Sequence, residues 1–137
     1  MIIQTQCTSF KAELYQGVHN LLTDNIYIAL YTGNASLDYA TTAYSSTNEV
    51  VASGYTAGGQ KLLNPTVNSS GYTAYVSFDN VHWNSALTAR CALIYNASKG
   101  NKAVAVLDFG ADRTSTATFT ITFPANTADS AIIRSSN

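Results

Sequence analysis

Beyond Asp24-Asn25 the apolar residues of this chain switch to a spacing of two and keep it, in short runs cut by Asn, Gly and Ser, as far as Ile133. Residues two apart share one face of a strand, whereas a helix needs apolar positions three or four apart. Ile26, Ile28 and Leu30 thus fall on one face, with Tyr27, Ala29 and Tyr31 on the other. Brief runs bounded by turn residues specify antiparallel sheets folded on one another, so the expected fold is a mostly all-β sandwich, of jelly-roll or another topology. A chain of 137 residues is one domain's length and can bury a core without metals or disulfides. A single sandwich domain over residues 1–137 is expected, with an N-terminal arm at 1–8 and one short α-helix at 9–22.

The helix is read from Phe10, Leu14, Val18 and Leu21, which fall on one helical face. Thr8 or Ser9 can cap its start. Gly17 weakens its middle by about 1 kcal/mol relative to Ala, so the element should be short and pinned to the sheets by Phe10 and Leu14. His19 reads as a surface residue near the carboxyl end, where the helix dipole favours a cation.

Thr32-Gly33-Asn34 ends the first strand, and Ala35 to Asn48 has no period. Long loops of this kind are functional or ordered by a partner. Glu49-Val50-Val51 is a short strand candidate. Gly54, Gly58 and Gly59 allow backbone conformations closed to other residues, but Gln60 before Lys61 and Leu62-Leu63 after it break the spacing of a phosphate loop. Gln60 to Val67 reads as a strand ended at a sheet edge by Pro65, Asn68 to Gly71 as a hairpin loop and Tyr72 to Phe78 as the return strand. Val81-His82-Trp83 is a brief strand with Trp83 as a core anchor. Ala89 to Tyr95, Lys102 to Phe109 and Ala117 to Phe123 are joined by turns at Asn96–Asn101 and Gly110–Ser115. Leu93, Ile94, Val104, Val106 and Leu107 make the densest apolar region, and Ala131-Ile132-Ile133 is the last strand.

Charged residues make up 11% of the chain, against about 25% in an ordinary domain. Seven basic and eight acidic residues give a net charge of −1, so nucleic acid is not an expected partner. Between Tyr39 and Phe78 the only charges are Glu49 and Lys61. That flank is either neutral-polar, as in a secreted domain with a Ser/Thr surface, or covered by a neighbour. Met1 to Cys7 lacks a basic start and an apolar run, so no secretory leader is expected. No stretch approaches the roughly 18 apolar residues of a membrane helix, and no membrane partner is expected.

No reaction chemistry is legible, and no catalytic residue, cofactor or metal is assigned. His19 and His82 lie far from Cys91 and from any G-x-S-x-G elbow. Asp79, Asp108 and Asp112 do not come from the tight loop that calcium requires; Asp108 reads as a strand residue bonded to backbone or Arg, and Asp112 with Arg113 as a solvated turn pair. Cys7 and Cys91 read as buried free thiols or as a disulfide formed after release from a reducing compartment. Of nine tyrosines, Tyr39, Tyr44, Tyr55 and Tyr72 lie in or beside loops, where they suit protein interfaces and sugar faces alike. Tyr15, Tyr27, Tyr31, Tyr75 and Tyr95 lie in regular elements and should be half-buried.

Cys7-Thr8-Ser9-Phe10-Lys11, Ile28-Ala29-Leu30-Tyr31-Thr32, Gly54-Tyr55-Thr56-Ala57-Gly58-Gly59, Arg90 with Ala92-Leu93-Ile94-Tyr95-Asn96, and Ala103 to Gly110 run nearly end to end along the chain. Together they resemble a family of small virion structural proteins of tailed bacteriophages. The family commonly carries Gly where this chain has Cys91. The resemblance implies a non-enzymatic capsid decoration or cement protein, made in the host cytoplasm, bound to the major capsid protein or other virion proteins on the capsid surface and homo-oligomeric. Interface residues are then expected at Ile2, Ile3, Tyr39, Tyr44, Tyr55 and Tyr72, with Met1 to Gln6 as an arm pairing with a neighbour. The alternative is a tail- or fibre-associated structural or receptor-binding module using Tyr39, Tyr44, Tyr55 and Trp83 as sugar-stacking platforms.

Overall fold

The structure, a computed structural model, describes residues 3–136. It is mostly β, with antiparallel sheets arranged sandwich-fashion and one short helix. In chain order the elements are β1 (Ile3–Gln6), α1 (Thr8–Tyr15), β2 (Ile26–Tyr31), β3 (Gln60–Lys61), β4 (Thr66–Ser70), β5 (Thr73–Ser77), β6 (Val81–Trp83), β7 (Thr88–Asn96), a 3-10 turn (Ala97–Lys99), β8 (Lys102–Thr114), β9 (Phe119–Ile121) and β10 (Ile133–Ser135). A five-stranded sheet runs β1-β8-β7-β2-β3, a three-stranded sheet runs β10-β5-β4, and β6 pairs with β9. This order differs from a jelly roll, which would divide eight strands between two sheets.

The expected core is the observed one. Leu93, Ile94, Val104, Val106 and Leu107 are buried where β7 and β8 pair, and β2 packs along β7 with Ile28 opposite Ile94 and Leu30 opposite Ala92. Every residue of β2 except Tyr27 is buried, so both of its faces are covered, not one. Trp83 anchors the interior at 2% exposure, against Tyr55 and Phe119.

Several boundaries move, each for a local reason. The expected arm is an ordered strand from Ile3 on: Ile3 lies opposite Asp108 and Gln6 opposite Ala105, so β1 forms the outer strand of its own sheet. Met1 and Ile2 lie outside the described residues. The helix stops at Tyr15, not Leu22, because Gly17 takes a left-handed conformation, φ +72°, just past the end. Gly17 N–H bonds Leu14 O and Val18 N–H bonds Glu13 O, the pair of bonds of a Schellman stop. Leu14 and Tyr15 consequently turn to solvent, and Phe10 alone is the helix's buried residue. Cys7 occupies the N-cap, without a side-chain bond, in place of Thr8 or Ser9.

The strand expected over Gln60 to Val67 breaks at Asn64-Pro65, where Asn64 has φ +53°. Asn68 to Ser70 are strand, not loop; the turn is Gly71-Tyr72, closed by Ser70 opposite Thr73. β8 runs on through the expected turn at Gly110 to Thr114, with a bulge between Ala89 opposite Arg113 and Cys91 opposite Asp108. Asp112 and Arg113 are thus exposed strand residues rather than a turn pair, and Arg113 donates to Phe109 O at 3.0 Å. Asp108 accepts from Gly110 N–H at 2.8 Å and faces Arg90 at 3.5 Å, as read from the sequence.

Candidate functional site

Between β2 and β3 the chain makes a long excursion, residues 32–59, tied to the sheet by backbone bonds such as Val50 N–H to Leu30 O and Ala103 N–H to Thr42 O, with one carboxylate gathering bonds from both of its loops. Glu49 bridges to Tyr31 on the edge of β2 and is buried. Its Oε1 accepts from the Tyr44 hydroxyl at 2.6 Å; its Oε2 accepts from the Tyr55 hydroxyl at 2.6 Å and from Gly58 N–H at 2.8 Å. A carboxylate taken out of water must be repaid by donors of this kind. Tyr55 Oη also accepts from Leu30 N–H at 2.9 Å, which carries the network into β2. Tyr95 stacks on Tyr44 with centroids 4.7 Å apart and donates to Gly58 O at 2.6 Å, and Tyr31 donates to Ser45 O at 2.7 Å.

Burial, reinforced by the neighbouring Glu49 charge, pushes the Tyr31, Tyr44 and Tyr55 hydroxyls well above the ordinary phenol range and Tyr95 up to about 12. All four therefore remain protonated donors at neutral pH. The arrangement is a staple. It fixes both loops, Ala35–Asn48 and Ser53–Gly59, and leaves other side chains of the excursion projecting: Tyr39 is 63% exposed and Val51 97%.

The expected interface residues divide accordingly. Tyr39 is exposed, with its carbonyl bonded by Thr8 N–H at 2.9 Å beside the start of α1. Tyr72 is 87% exposed at the tip of the β4–β5 hairpin, and Ile3 is half exposed on β1. Tyr55 is buried and Tyr44 half-buried, because Glu49 draws both hydroxyls inward. Neither Tyr55 nor Trp83 can serve as a sugar platform. Ile2 lies outside the described residues. Tyr15, expected to be half-buried, is 92% exposed.

A second polar cluster ties α1 to the sheet. Asn96 is wholly buried; its Nδ2 donates to His19 Nδ1 at 2.9 Å and Asp24 Oδ2 at 2.8 Å, and its Oδ1 accepts from Ser98 N–H. That bonding assigns the His19 proton to Nε2, which donates to Glu13 Oε1 at 2.9 Å. The His19 side chain is fully buried against the Phe10 ring, not on the surface as its position after a helix suggested. Burial opposes ionisation of Asp24, but the Asn20 N–H, Asn96 and Lys99 hold its carboxyl below its usual range. Cys7 and Cys91 are both buried free thiols, each pushed up to about 11 chiefly by burial, with Asp38 beside Cys7 and Asp108 beside Cys91 adding to it.

Sequence reasoning passed over Glu49 as an organiser, though a signal was present: it is the sole carboxylate between Asp38 and Asp79, set among tyrosines. No helix among the described residues is long and apolar enough to cross a membrane. No family model, curated protein or solved structure matches the chain.

Proposed function

We propose that this chain is a structural protein of a tailed-phage virion, a decoration or cement protein that binds the major capsid shell and stabilises it without catalysis. The observation that carries this reading is the character of its surface. A rigid β core presents exposed Tyr15, Tyr39, Val51 and Tyr72 amid Thr, Ser and Asn, with very few charges. Such side chains are large contact groups that lose little entropy when covered, and neutral polar surroundings cost less to desolvate than charged ones. The motif resemblance supports the same reading. A protein that binds only the assembled shell stabilises it by mass action, which asks for a stiff body with fixed contact loops; the Glu49 staple supplies the stiffness. Its copy number in purified particles tests the reading. On the order of hundreds of copies over the shell is expected from a closed icosahedral arrangement, and about a dozen or fewer at one vertex would overturn the capsid role.

A second reading, a tail- or fibre-associated module that binds host surface glycans, is favoured by one groove. About 540 Å³ in volume, it is lined by Gln6, Lys11, Leu14, Tyr15, Arg134 and Ser135, among others, with no carboxylate side chain among the described lining residues. An aromatic face beside two cations suits an acidic sugar. Saturable binding of the purified protein to host envelopes, lost in Tyr15→Ala, is the expected result under this reading; unchanged binding in that variant would exclude the groove.

A further inference from the structure

Natural sheet edges are guarded by charge, by proline, by bulges or by a covering segment, because an open row of N–H and C=O groups pairs with any strand that reaches it. β4 carries none of these guards. It is the outer strand of its sheet, all five of its residues are exposed, and Thr-Val-Asn-Ser-Ser contains no charge and no proline. Asn126 bonds the Thr66 hydroxyl at 3.0 Å, but among the described residues no hydrogen bond reaches Val67 to Ser70 from outside the hairpin.

The direction of the free groups follows from the turn. Gly71, at φ +58°, opens a two-residue turn closed by Ser70 opposite Thr73, and in such a hairpin the closing pair exchanges hydrogen bonds. Asn68 with Tyr75, and Thr66 with Ser77, then bond inward in the same way. Val67 and Ser69 therefore direct their N–H and C=O groups away from β5, into the open.

We propose that β4 is a self-pairing edge, on which a second copy of this chain docks antiparallel about a two-fold axis through Asn68. In this register Val67 of each copy lies opposite Ser69 of the other, and each such pair exchanges two hydrogen bonds. Asn68 meets its own counterpart in a non-bonded pair. No other centre satisfies both outward residues of both copies with each other. The interface is isologous, as a closed two-fold requires, and the two three-stranded sheets become one continuous sheet. An uncharged strand meets its own copy without like-charge repulsion. The same register carries Tyr72 towards Leu63 and Pro65 of the second copy, and Leu63, Val67 and Tyr72 are all exposed large apolar groups within this one stretch. So short a seam gives a weak dimer, about micromolar or weaker.

The solution tests use the purified chain alone, so their outcome is independent of where the protein sits in a particle. Sedimentation up to about 1 mM should show a mass rising from 14.6 kDa towards twice that value. Ser69→Pro removes an outward N–H and leaves the β4–β5 bonds intact, so it should remain monomeric with an unchanged melting temperature. Asn68→Cys places two thiols across a non-bonded pair, with Cα atoms about 4.5 Å apart, a separation a disulfide can span. It should cross-link at least about tenfold faster than Ser70→Cys, which meets Thr66. A chain that stays monomeric throughout, or cysteines at 68 and 70 that cross-link at equal rates, would overturn the proposal. So would a monomer whose binding to particles is abolished by Ser69→Pro, which would assign the edge to a strand of another virion protein.

Discussion

Glu49 receives three donors on two oxygens, drawn from both loops of the excursion, beside the Tyr31–Ser45 and Tyr95–Gly58 bonds that also hold them. Glu49→Gln is nearly isosteric, yet its amide nitrogen can face only the Tyr44 hydroxyl, which must turn round to accept and loses the acceptor for its own proton. A buried donor left without an acceptor costs about 1–3 kcal/mol, and the loss of charge assistance weakens the bonds that remain. Glu49→Gln should therefore cost about 3 kcal/mol in urea unfolding, and Tyr44→Phe about 1 kcal/mol, since that change removes a single half-buried bond. A Glu49→Gln protein within about 0.5 kcal/mol of the parent would show that the staple is incidental. Gly59 is constrained by space instead. At φ +80° a Cβ there would lie 1.8 Å from Ile28 O, within the backbone of β2. No rotamer relieves such a clash, so Gly59→Ala should cost at least about 3 kcal/mol, or prevent folding, as read from soluble yield and melting temperature.

At the scale of the element, Gly17 separates two readings of the same helix. Placed mid-helix it would be a weak point, and Gly17→Ala would stabilise by up to about 1 kcal/mol. As the left-handed residue of the helix stop it is required, and Gly17→Ala should instead destabilise by about 1 kcal/mol in thermal unfolding. The strands were legible wherever alternation ran longest: β2, β7 and the first half of β8 lie where their apolar spacing puts them. Their ends were not legible, because a glycine or asparagine reads alike as turn, bulge or helix stop until a hydrogen-bond partner is known. Gly110 inside β8 and Asn68 inside β4 are instances. The exposure of Tyr39 and Tyr72 followed from their loop neighbours, whereas the burial of Tyr55 and His19 followed from distant partners, Leu30 and Asn96, that no local pattern announces.

For the molecule as a whole, the groups that resist ionisation all act in one direction. Cys7 and Cys91 rise from 9.0 to about 11 and Tyr95 from 10.0 to about 12, with Tyr31, Tyr44 and Tyr55 raised further, in each case chiefly by burial. A group whose folded pKa exceeds its unfolded value binds its proton more tightly in the native state. Its contribution to stability is complete below the unfolded pKa and is lost as pH rises through the folded one. Stability should thus decline from about pH 9, first through the thiols and then through the phenols, by up to about 1.4 kcal/mol per pH unit for each group titrating only in the unfolded chain. Denaturant midpoints measured from pH 8 to pH 11 should fall progressively, and Cys7→Ala and Cys91→Ala should flatten the first part of the decline. The four clustered phenols surround one carboxylate, so none can ionise without placing a second negative charge beside Glu49 in a dry site. The last tyrosinate absorbance should consequently appear together with the loss of far-UV circular dichroism. Complete tyrosine ionisation with the β signal intact would mean that residues 32–59 open to solvent while the sheets stay folded, and the staple would then be a local clasp rather than part of the cooperative core.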